Sequence, residues 1–360
     1  MQKRNNGLIL FCEELRNRAG IERMTVELAN LLSDTYDVSI VTITPFSFES
    51  CPFHINHNVK VISINSSFKK KLFDSNKESI KELRKIVKEI NPLALITVAT
   101  PLVRLSAPAL RGLKVKNIGW EHFNIFAGSK LGTLFKLSAS WRTNATVALT
   151  EADGKAYKKF FSPNVLVIPN FTSIGVNEPS KCENKILLAV GRHAPQKGFD
   201  MLIKAWAKTN APGWTLRIVG SGDEKTKNEE LAKSLGVWNR VEFKESTPEI
   251  VKEFQNASCF VLSSRFEGLV LVLIEAKMMG LPCVSFDCPE SPKEVIRNGI
   301  DGWLVPPEDI DGLANELSLR LKDLNKLKEA GTAAREDAKN RYSPEAIKKI
   351  WIDLICNKSV

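Results

Sequence analysis

Short apolar runs alternate with amphipathic segments along almost the whole chain. The predicted strands are residues 7–12, 38–44, 59–64, 93–98, 115–120, 145–149, 186–190, 215–219, 241–243, 259–262 and 282–286. Between them, segments such as residues 21–32, 78–90, 199–207 and 272–279 carry apolar residues at helical spacing. This alternation predicts an α/β protein with parallel sheets and helices on both faces.

The chain of 360 residues is long enough for two domains, and one segment marks their boundary. Residues 170–184 are polar and rich in turn-forming residues, and they show no periodicity. We therefore predict one domain over residues 1–170 and another over residues 184–338. Residues 344–356 predict a terminal helix whose apolar face must dock on one of them.

Composition narrows the class of protein. Hydrophobic residues make up 43% and charged residues 26%, which is typical of a soluble globular protein. The seven cysteines are scattered and contain no CxxC pair, which argues against disulfides or a zinc site and indicates a reducing cytoplasm. No apolar run has the length of a signal peptide or a membrane-spanning helix. We expect a cytoplasmic protein, either in solution or at the inner face of the cell membrane.

The net charge of +10 is concentrated in the first half of the chain. Residues 1–180 contain 24 Lys and Arg against 15 Asp and Glu, whereas the remainder contains 27 against 26. Such an excess predicts an anionic partner, which is nucleic acid, anionic lipid or a phosphorylated substrate. A composition bias that only serves solubility is the competing interpretation.

A basic glycine loop follows the predicted strand 186–190. It reads VGRHAPQKG over residues 190–198, and it precedes a predicted helix. The glycine turn at Gly191 lets backbone approach a phosphate, while Arg192 and Lys197 add two cations on the same loop. We interpret this loop as a diphosphate site, against the alternative of a solvated basic loop. A second turn, VGSGDE with Gly220, is a weaker signal of the same kind.

Two glutamates bracket the start of the predicted helix 272–279. Glu267 precedes the helix and Glu275 lies within it, flanked by apolar residues that argue against a surface position. Acidic groups of this kind bind ribose and sugar hydroxyls, while the free N–H groups of Gly268, Leu269 and Val270 are available to phosphates. The alternative is that both glutamates are ordinary surface residues.

These motifs together resemble the retaining glycosyltransferases of family 4, which have the GT-B fold. The resemblance covers about residues 20–310 and rests on AGIER, EH at 121–122, TEAD, VIPN, GRHAPQKG, VGSGDE, EGLVLVLIEA, GLPCVSFD and NGIDGWLVP. It implies two Rossmann-like domains facing each other across a cleft. It also implies that the C-terminal helix 344–356 returns to the first domain.

The resemblance assigns roles to individual residues. Arg192 and Lys197 hold the donor diphosphate, Glu275 holds the ribose, and Glu267 contacts the transferred sugar. Gly20 faces donor and acceptor from the first domain, and His122 lies beside the sugar. His122 also follows a predicted strand, at the end where open α/β sheets bind ligands, although a structural histidine is the usual alternative.

Three departures from the family pattern leave the donor sugar open. Ala19 precedes Gly20 where paired glycines are common, Leu269 and Val270 occupy variable loop positions, and PESPK at residues 289–293 replaces a small glycine-containing turn. We expect no cofactor and no essential metal, because the loop supplies its own cations and no DxD pair occurs in a plausible donor loop.

The predicted reaction moves a hexose or N-acetylhexosamine, with UDP-sugars favoured, to a saccharide acceptor. The basic first half suits an acceptor carried on a lipid diphosphate at an anionic membrane, as in O-antigen, capsule or exopolysaccharide synthesis. Two alternatives stay open at this point. One is a sugar-nucleotide epimerase of the same fold, and the other is a nucleic-acid-binding protein, which lacks a recognisable binding module here.

Overall fold

A computed structural model describes most of the chain, in two compact units. The described residues are 6–17, 19–64, 76–122, 133, 136, 138–159, 164–174, 178–267, 269–289 and 292–356. One unit comprises Met1–Pro169 together with Ile347–Val360, and the other comprises Asn170–Ala346. Within the described residues, no helix combines the length and the apolarity that crossing a bilayer requires.

The first unit contains a parallel sheet of seven strands in the order β3-β2-β1-β4-β5-β6-β7. These strands are β1 Gly7–Cys12, β2 Asp37–Thr42, β3 Lys60–Ser63, β4 Ala94–Val98, β5 Lys116–Trp120, β6 Ala145–Ala148 and β7 Val165–Val167. The α-helices that lie entirely within the described residues are Gly20–Leu32, Lys77–Ile90, Val103–Leu110 and Glu151–Lys159, with 3₁₀ turns at Phe48–Ser50 and Thr100–Leu102. The strand order reverses between β1 and β4, which is the switch point at which open α/β sheets bind ligands.

The sequence explains why these elements form. Every residue of β1 is buried, as expected for a central parallel strand with helices on both faces. The helix Lys77–Ile90 buries Leu83, Ile86 and Val87 and leaves its lysines exposed. It ends at Asn91, which adopts the left-handed conformation that asparagine tolerates.

The second unit contains a parallel sheet of six strands in the order β10-β9-β8-β11-β12-β13. These strands are β8 Ile186–Val190, β9 Thr215–Val219, β10 Val241–Lys244, β11 Cys259–Leu262, β12 Cys283–Phe286 and β13 Gly302–Val305. Its α-helices are Phe199–Lys208, Lys225–Ser234, Ile250–Asn256, Leu271–Met278, Pro292–Val295, Ile310–Arg320 and Leu324–Tyr342. Apolar clusters cover both faces of this sheet, so the α/β class predicted from the alternation is confirmed.

A buried ion cluster anchors the helix Leu271–Met278. The Lys277 ammonium is fully buried, and it donates hydrogen bonds to Asp337 at 2.6 Å, to Asp301 at 3.1 Å and to the Val295 carbonyl at 2.5 Å. Buried charges persist only when they are paired in this way. The cluster therefore fixes a short helix against the long helix Leu324–Tyr342.

The C-terminal helix Pro344–Cys356 packs on the first unit from Ile347 onward. Its Trp351 is buried, and the ring centroid lies 5.3 Å from that of Trp120 on β5. Lys116 Nζ donates a hydrogen bond to the Leu354 carbonyl at 2.6 Å. The sequence predicted an apolar face of Ile347, Ile350, Trp351 and Leu354; three of these are buried, whereas Ile350 is 37% exposed.

Candidate active site

Two glycine turns meet at the carboxyl ends of β8 and β9. A Cβ atom added to Gly220 would lie 1.8 Å from the Gly191 carbonyl oxygen, so the two backbones touch directly. Gly198 has φ +62°, and a Cβ atom there would lie 2.1 Å from the Ser263 carbonyl oxygen. Both glycines are therefore required by close backbone contact, and the loop 191–198 lies against the residues that follow β11.

Lys197 and Glu267 form an ion pair at this edge of the sheet. The Lys197 ammonium lies 2.6 Å from Glu267 Oε1, and the side chains are 19% and 9% exposed. The Ser264 hydroxyl donates to the same oxygen at 2.6 Å, while Gln196 donates to Oε2 at 3.4 Å. The structure thus brings together a cation and a carboxylate that are 70 residues apart in the chain.

Arg192 occupies the exposed start of the same loop. Within the described part of the chain, its guanidinium has no hydrogen-bond or ion-pair partner. A cation without a partner beside glycine turns suits an anionic ligand. His193, the next residue, is instead a packing residue, because it is fully buried, lies 3.0 Å from the Asn228 amide and packs on Phe199.

Glu275 lies in the second turn of the helix Leu271–Met278 and is only 5% exposed. The sequence predicted this helix over residues 272–279, and the structure begins it one residue earlier, at Leu271. Val270 caps this helix and is buried, and Leu269 is partly buried. Gly268 lies outside the described residues.

His122 follows β5 in the first unit, and its environment holds the ring neutral. Its ring centroid lies 4.3 Å from that of Trp120, and its buried Nε2 atom has no hydrogen-bond partner in the described part of the chain. Burial lowers the pKa of His122 to about 3. A neutral imidazole with an unsatisfied nitrogen can hydrogen-bond a ligand hydroxyl.

Glu121, beside His122, is a buried carboxylate that the sequence analysis noted only as part of the EH motif. It accepts hydrogen bonds from Thr100, from the Tyr157 hydroxyl at 3.3 Å and from the backbone N–H of His122 at 3.0 Å. Burial and the nearby Glu121 charge raise the pKa of Tyr157, so this hydroxyl stays a donor. The network fixes the backbone that carries His122.

Gly20 begins the helix Gly20–Leu32 and is exposed. A Cβ atom at this position would meet nothing within 4 Å. The fold itself therefore does not require glycine here, unlike at Gly198 and Gly220.

Sequence reasoning missed the side chains that support this site. Ser264 and Gln196 hold Glu267, and Trp351 supports Trp120 from the far end of the chain. The Ser263–Ser264–Arg265 turn, which precedes Glu267 in the sequence, was a signal that could have indicated the role of Ser264. No group of metal-binding side chains was found among the residues that the structure describes.

Comparison with known proteins decides the family. Residues 173–337 match the family model "Glycosyl transferases group 1". The chain is 34% identical over 326 residues to an uncharacterized glycosyltransferase of Haemophilus influenzae, covering 87% of this chain and 90% of that protein. The chain is a group 1 glycosyltransferase. The resemblance to glycosyltransferases inferred from the motifs is therefore confirmed, and the epimerase alternative is not favoured.

Two further proteins are similar over almost the whole length of this group 1 glycosyltransferase. A Campylobacter jejuni enzyme is 28% identical over 356 residues, covering 96% of this chain and 98% of that protein. Its name describes an α-1,4-N-acetyl-D-galactosaminyltransferase that acts on a PP-undecaprenol-linked saccharide. The structure of Anabaena HepE in complex with UDP and glucose has a TM-score of 0.77 at 18% identity, covering 97% of this chain and 98% of that one. This likeness confirms the GT-B fold with its two Rossmann-like units.

Proposed function

We propose that this glycosyltransferase moves a hexose or N-acetylhexosamine from a nucleoside-diphosphate sugar to a saccharide carried on a lipid diphosphate, with retention at the anomeric carbon. The observation that carries the proposal is the Lys197–Glu267 pair, at 2.6 Å, on a glycine loop that also presents Arg192. A cation pair suits the diphosphate, and a carboxylate suits the hydroxyls of the adjoining sugar.

The chemistry follows from these charges. Departure of the nucleoside diphosphate leaves an oxocarbenium-like sugar and places negative charge on the leaving phosphate. Arg192 and Lys197 stabilise that charge, which is the largest single contribution that such a site can make. The acceptor hydroxyl attacks from the same face and passes its proton to a donor phosphate oxygen. Glu275 and the N–H groups at Leu269 and Val270 complete the proposed donor site.

His122 takes part as a neutral group in this proposal. Because burial lowers its pKa to about 3, it carries no charge near neutral pH. Its buried Nε2 can therefore hydrogen-bond a sugar hydroxyl without repelling the developing positive charge on the sugar ring. Gly20 contributes space on the first unit. A Cβ atom at this position would meet no described atom within 4 Å, so packing does not require glycine here.

We propose that no essential metal and no further cofactor take part. The two loop cations neutralise the diphosphate, which is the role that a divalent ion has in many nucleotide-sugar enzymes. Activity should be unchanged when EDTA is added to the assay. Loss of activity that Mg²⁺ or Mn²⁺ restores would overturn this point.

The names of the similar proteins support the choice of substrates. HepE was solved with UDP and glucose, which favours a UDP-sugar donor here. The Campylobacter enzyme acts on a saccharide linked to undecaprenyl diphosphate, which favours a lipid-linked acceptor. Such an acceptor would place this enzyme in O-antigen, capsule or exopolysaccharide synthesis, in the cytoplasm at the inner face of the cell membrane.

The test is a panel of UDP- and GDP-sugars, with and without lipid-diphosphate saccharides. We expect release of nucleoside diphosphate from one UDP-sugar, faster when an acceptor is present. NMR of the product should show the anomeric configuration of the donor. An inverted product would overturn the retaining mechanism, and an epimerised donor formed without any acceptor would restore the epimerase alternative.

A further inference from the structure

An unsatisfied carboxylate lies immediately after β12. Asp287 is fixed by its backbone N–H, which donates to the Val305 carbonyl on β13 at 2.7 Å. Its Oδ1 atom is buried and has no hydrogen-bond partner among the described residues. A carboxylate oxygen shielded from water without a donor is costly, so it calls for a functional explanation.

The position of Asp287 connects it to the Lys197–Glu267 pair. β11 and β12 pair in register at Leu262 and Ser285. Ser264 and Asp287 each follow two residues later in the chain, just beyond the ends of these strands. Ser264 is the residue whose hydroxyl holds Glu267. Asp287 therefore lies at the same carboxyl edge of the sheet as the proposed donor site.

Cys288 gives independent evidence for this proximity. Burial raises the pKa of the Cys288 thiol to about 12, with smaller contributions from the negative charges of Glu267 and Asp287, whereas Lys197 acts in the opposite direction. One thiol thus lies within electrostatic range of both carboxylates and of the loop ammonium. Asp287 belongs to the surroundings of the ion pair.

We propose that Asp287 accepts a hydrogen bond from a sugar hydroxyl at the transfer site and so determines which sugar the enzyme uses. This inference rests on the proposed function. A diphosphate at neutral pH offers no donor and is repelled by a carboxylate, whereas a sugar hydroxyl is a neutral donor. The hydroxyl belongs either to the donor sugar or to the acceptor saccharide, and the experiment separates the two.

Asp287→Ala removes the acceptor oxygen, and Asp287→Asn keeps one carbonyl acceptor without the charge. The probes are UDP, UDP-glucose, UDP-N-acetylglucosamine and GDP-mannose, with binding measured by calorimetry and transfer by product formation. We expect the affinity for UDP to stay within about twofold of wild type, because UDP lacks the transferred sugar. We expect kcat/KM with the preferred sugar nucleotide to fall about 10- to 100-fold in the alanine variant, and less in the asparagine variant. Asp311→Ala, at an exposed position on the same unit, is the matched control.

Monodeoxy substrates identify the hydroxyl. With the wild-type enzyme, one monodeoxy donor should lower kcat/KM as much as Asp287→Ala lowers it with the complete donor. Combining that monodeoxy donor with Asp287→Ala should lower kcat/KM little further. If this non-additivity appears instead with a monodeoxy acceptor, the hydroxyl belongs to the acceptor and the assignment of a sugar hydroxyl stands. Full additivity in both series would overturn the proposal.

Thermal unfolding separates this role from a structural one. Because Oδ1 has no partner to lose and a buried oxygen without a donor is destabilising, Asp287→Ala should unfold at or above the wild-type temperature. A large drop in Tm, together with unchanged kcat/KM in the folded protein, would show a structural carboxylate and would overturn the proposal. If wild-type protein uses none of the sugar nucleotides, the proposed function itself fails, and wild-type data reveal this before any variant is compared.

Discussion

Lys197 and Arg192 are two cations of one loop, and among the residues that the structure describes only Lys197 has an acidic partner, Glu267 at 2.6 Å. Removing Lys197 takes away the phosphate ligand that we propose and also leaves the Glu267 carboxylate, which is 9% exposed, without its counter-ion. Removing Arg192 takes away only an exposed cation. The two substitutions therefore test transition-state stabilisation in two different surroundings.

Lys197→Ala and Arg192→Ala should each lower kcat by about 10²–10³, which is typical for removal of one electrostatic donor to a leaving group. Steady-state kinetics with the preferred sugar nucleotide measures this. Lys208→Ala, which removes an exposed lysine paired with Asp311 on the same unit, is the control and should retain wild-type kcat. Wild-type rates in Lys197→Ala would show that the loop is not the diphosphate site.

His122 links the site to the stability of the fold. Its pKa is about 3 in the folded protein and about 6.5 in the unfolded chain. Below pH 6.5, His122 takes up a proton in the unfolded chain but stays neutral in the folded protein. The free energy of unfolding therefore falls as the pH falls toward 3. Burial and the Lys225 charge lower the pKa of His193 in the same direction, so His122 accounts for only part of the effect.

His122→Gln should therefore lose less stability than wild type between pH 7 and pH 5. Urea unfolding at the two pH values measures this, with His57→Gln, at an exposed position, as the control. An equal loss of stability in His122→Gln and wild type would mean that the ring is accessible to water and protonates in the folded state.

Some strands and helices have a clear pattern of apolar residues in the sequence, and others do not. Long runs such as Gly7–Cys12 and Ile186–Val190 were predicted with their observed bounds. Val165–Val167 was not predicted as a strand, and Gly302–Val305 was recognised only as part of the motif NGIDGWLVP. The helix Val103–Leu110 was missed because it contains Pro108, which normally breaks a helix.

The same division holds for the site. The residues of the glycine loop and the glutamate pair were predictable, because charged side chains followed predicted strands. Their contacts were not, because Lys197 and Glu267 are 70 residues apart in the chain and come together through the pairing of β8 with β11. The contact between Trp351 and Trp120 depends on where a terminal helix docks, and spacing along the chain carries no information on that.

The C-terminal helix should affect His122 through two aromatic rings. Trp351 packs on Trp120 at 5.3 Å, and Trp120 packs on His122 at 4.3 Å. Trp351→Ala opens a cavity behind Trp120, whereas Trp351→Phe keeps an aromatic ring there. Water that follows into the cavity should raise the pKa of His122 toward 6.5.

NMR titration of the His122 ring signal in Trp351→Ala and Trp351→Phe measures this. The alanine variant should titrate at higher pH and lose kcat in parallel, and the phenylalanine variant should stay close to wild type. If both variants lose Tm but His122 titrates as in wild type, Trp351 stabilises the unit without positioning the histidine.

Charge is distributed unevenly over the whole molecule. The unit formed by Met1–Pro169 and Ile347–Val360 contains 27 Lys and Arg against 15 Asp and Glu, a net charge of +12. The unit Asn170–Ala346 contains 24 against 26, a net charge of −2. The returning C-terminal helix thus adds to the asymmetry between the halves of the sequence.

The basic first half of the sequence favours contact with an anionic membrane, but not every basic residue of this unit is available for it. Lys136 is only 8% exposed, and Arg84 donates to the carbonyls of Ala109 and Arg111. Lys77, Lys81, Lys85 and Lys88 are exposed, but Glu78, Glu82 and Glu89 accompany them on the same helix. Residues 69–71, and much of the segment 122–142, lie outside the described residues.

Trp141 is the described residue of that segment that best fits a membrane contact. It is 66% exposed and is followed by the exposed Arg142, a pairing that suits the boundary between lipid headgroups and acyl chains. Because the unit around it carries +12, we expect the protein to float with anionic liposomes at low salt and to be released as salt screens the charges. Neutral phosphatidylcholine vesicles should not retain it.

Trp141→Ala should weaken flotation with vesicles that contain phosphatidylglycerol, because it removes the apolar part of the contact. Trp238→Ala is the matched control, since Trp238 is 44% exposed but belongs to the unit with a net charge of −2. Equal binding of both variants would leave charge as the sole attraction. The membrane location would be contradicted if the protein did not bind anionic vesicles at low salt and transferred sugar equally well to a soluble acceptor.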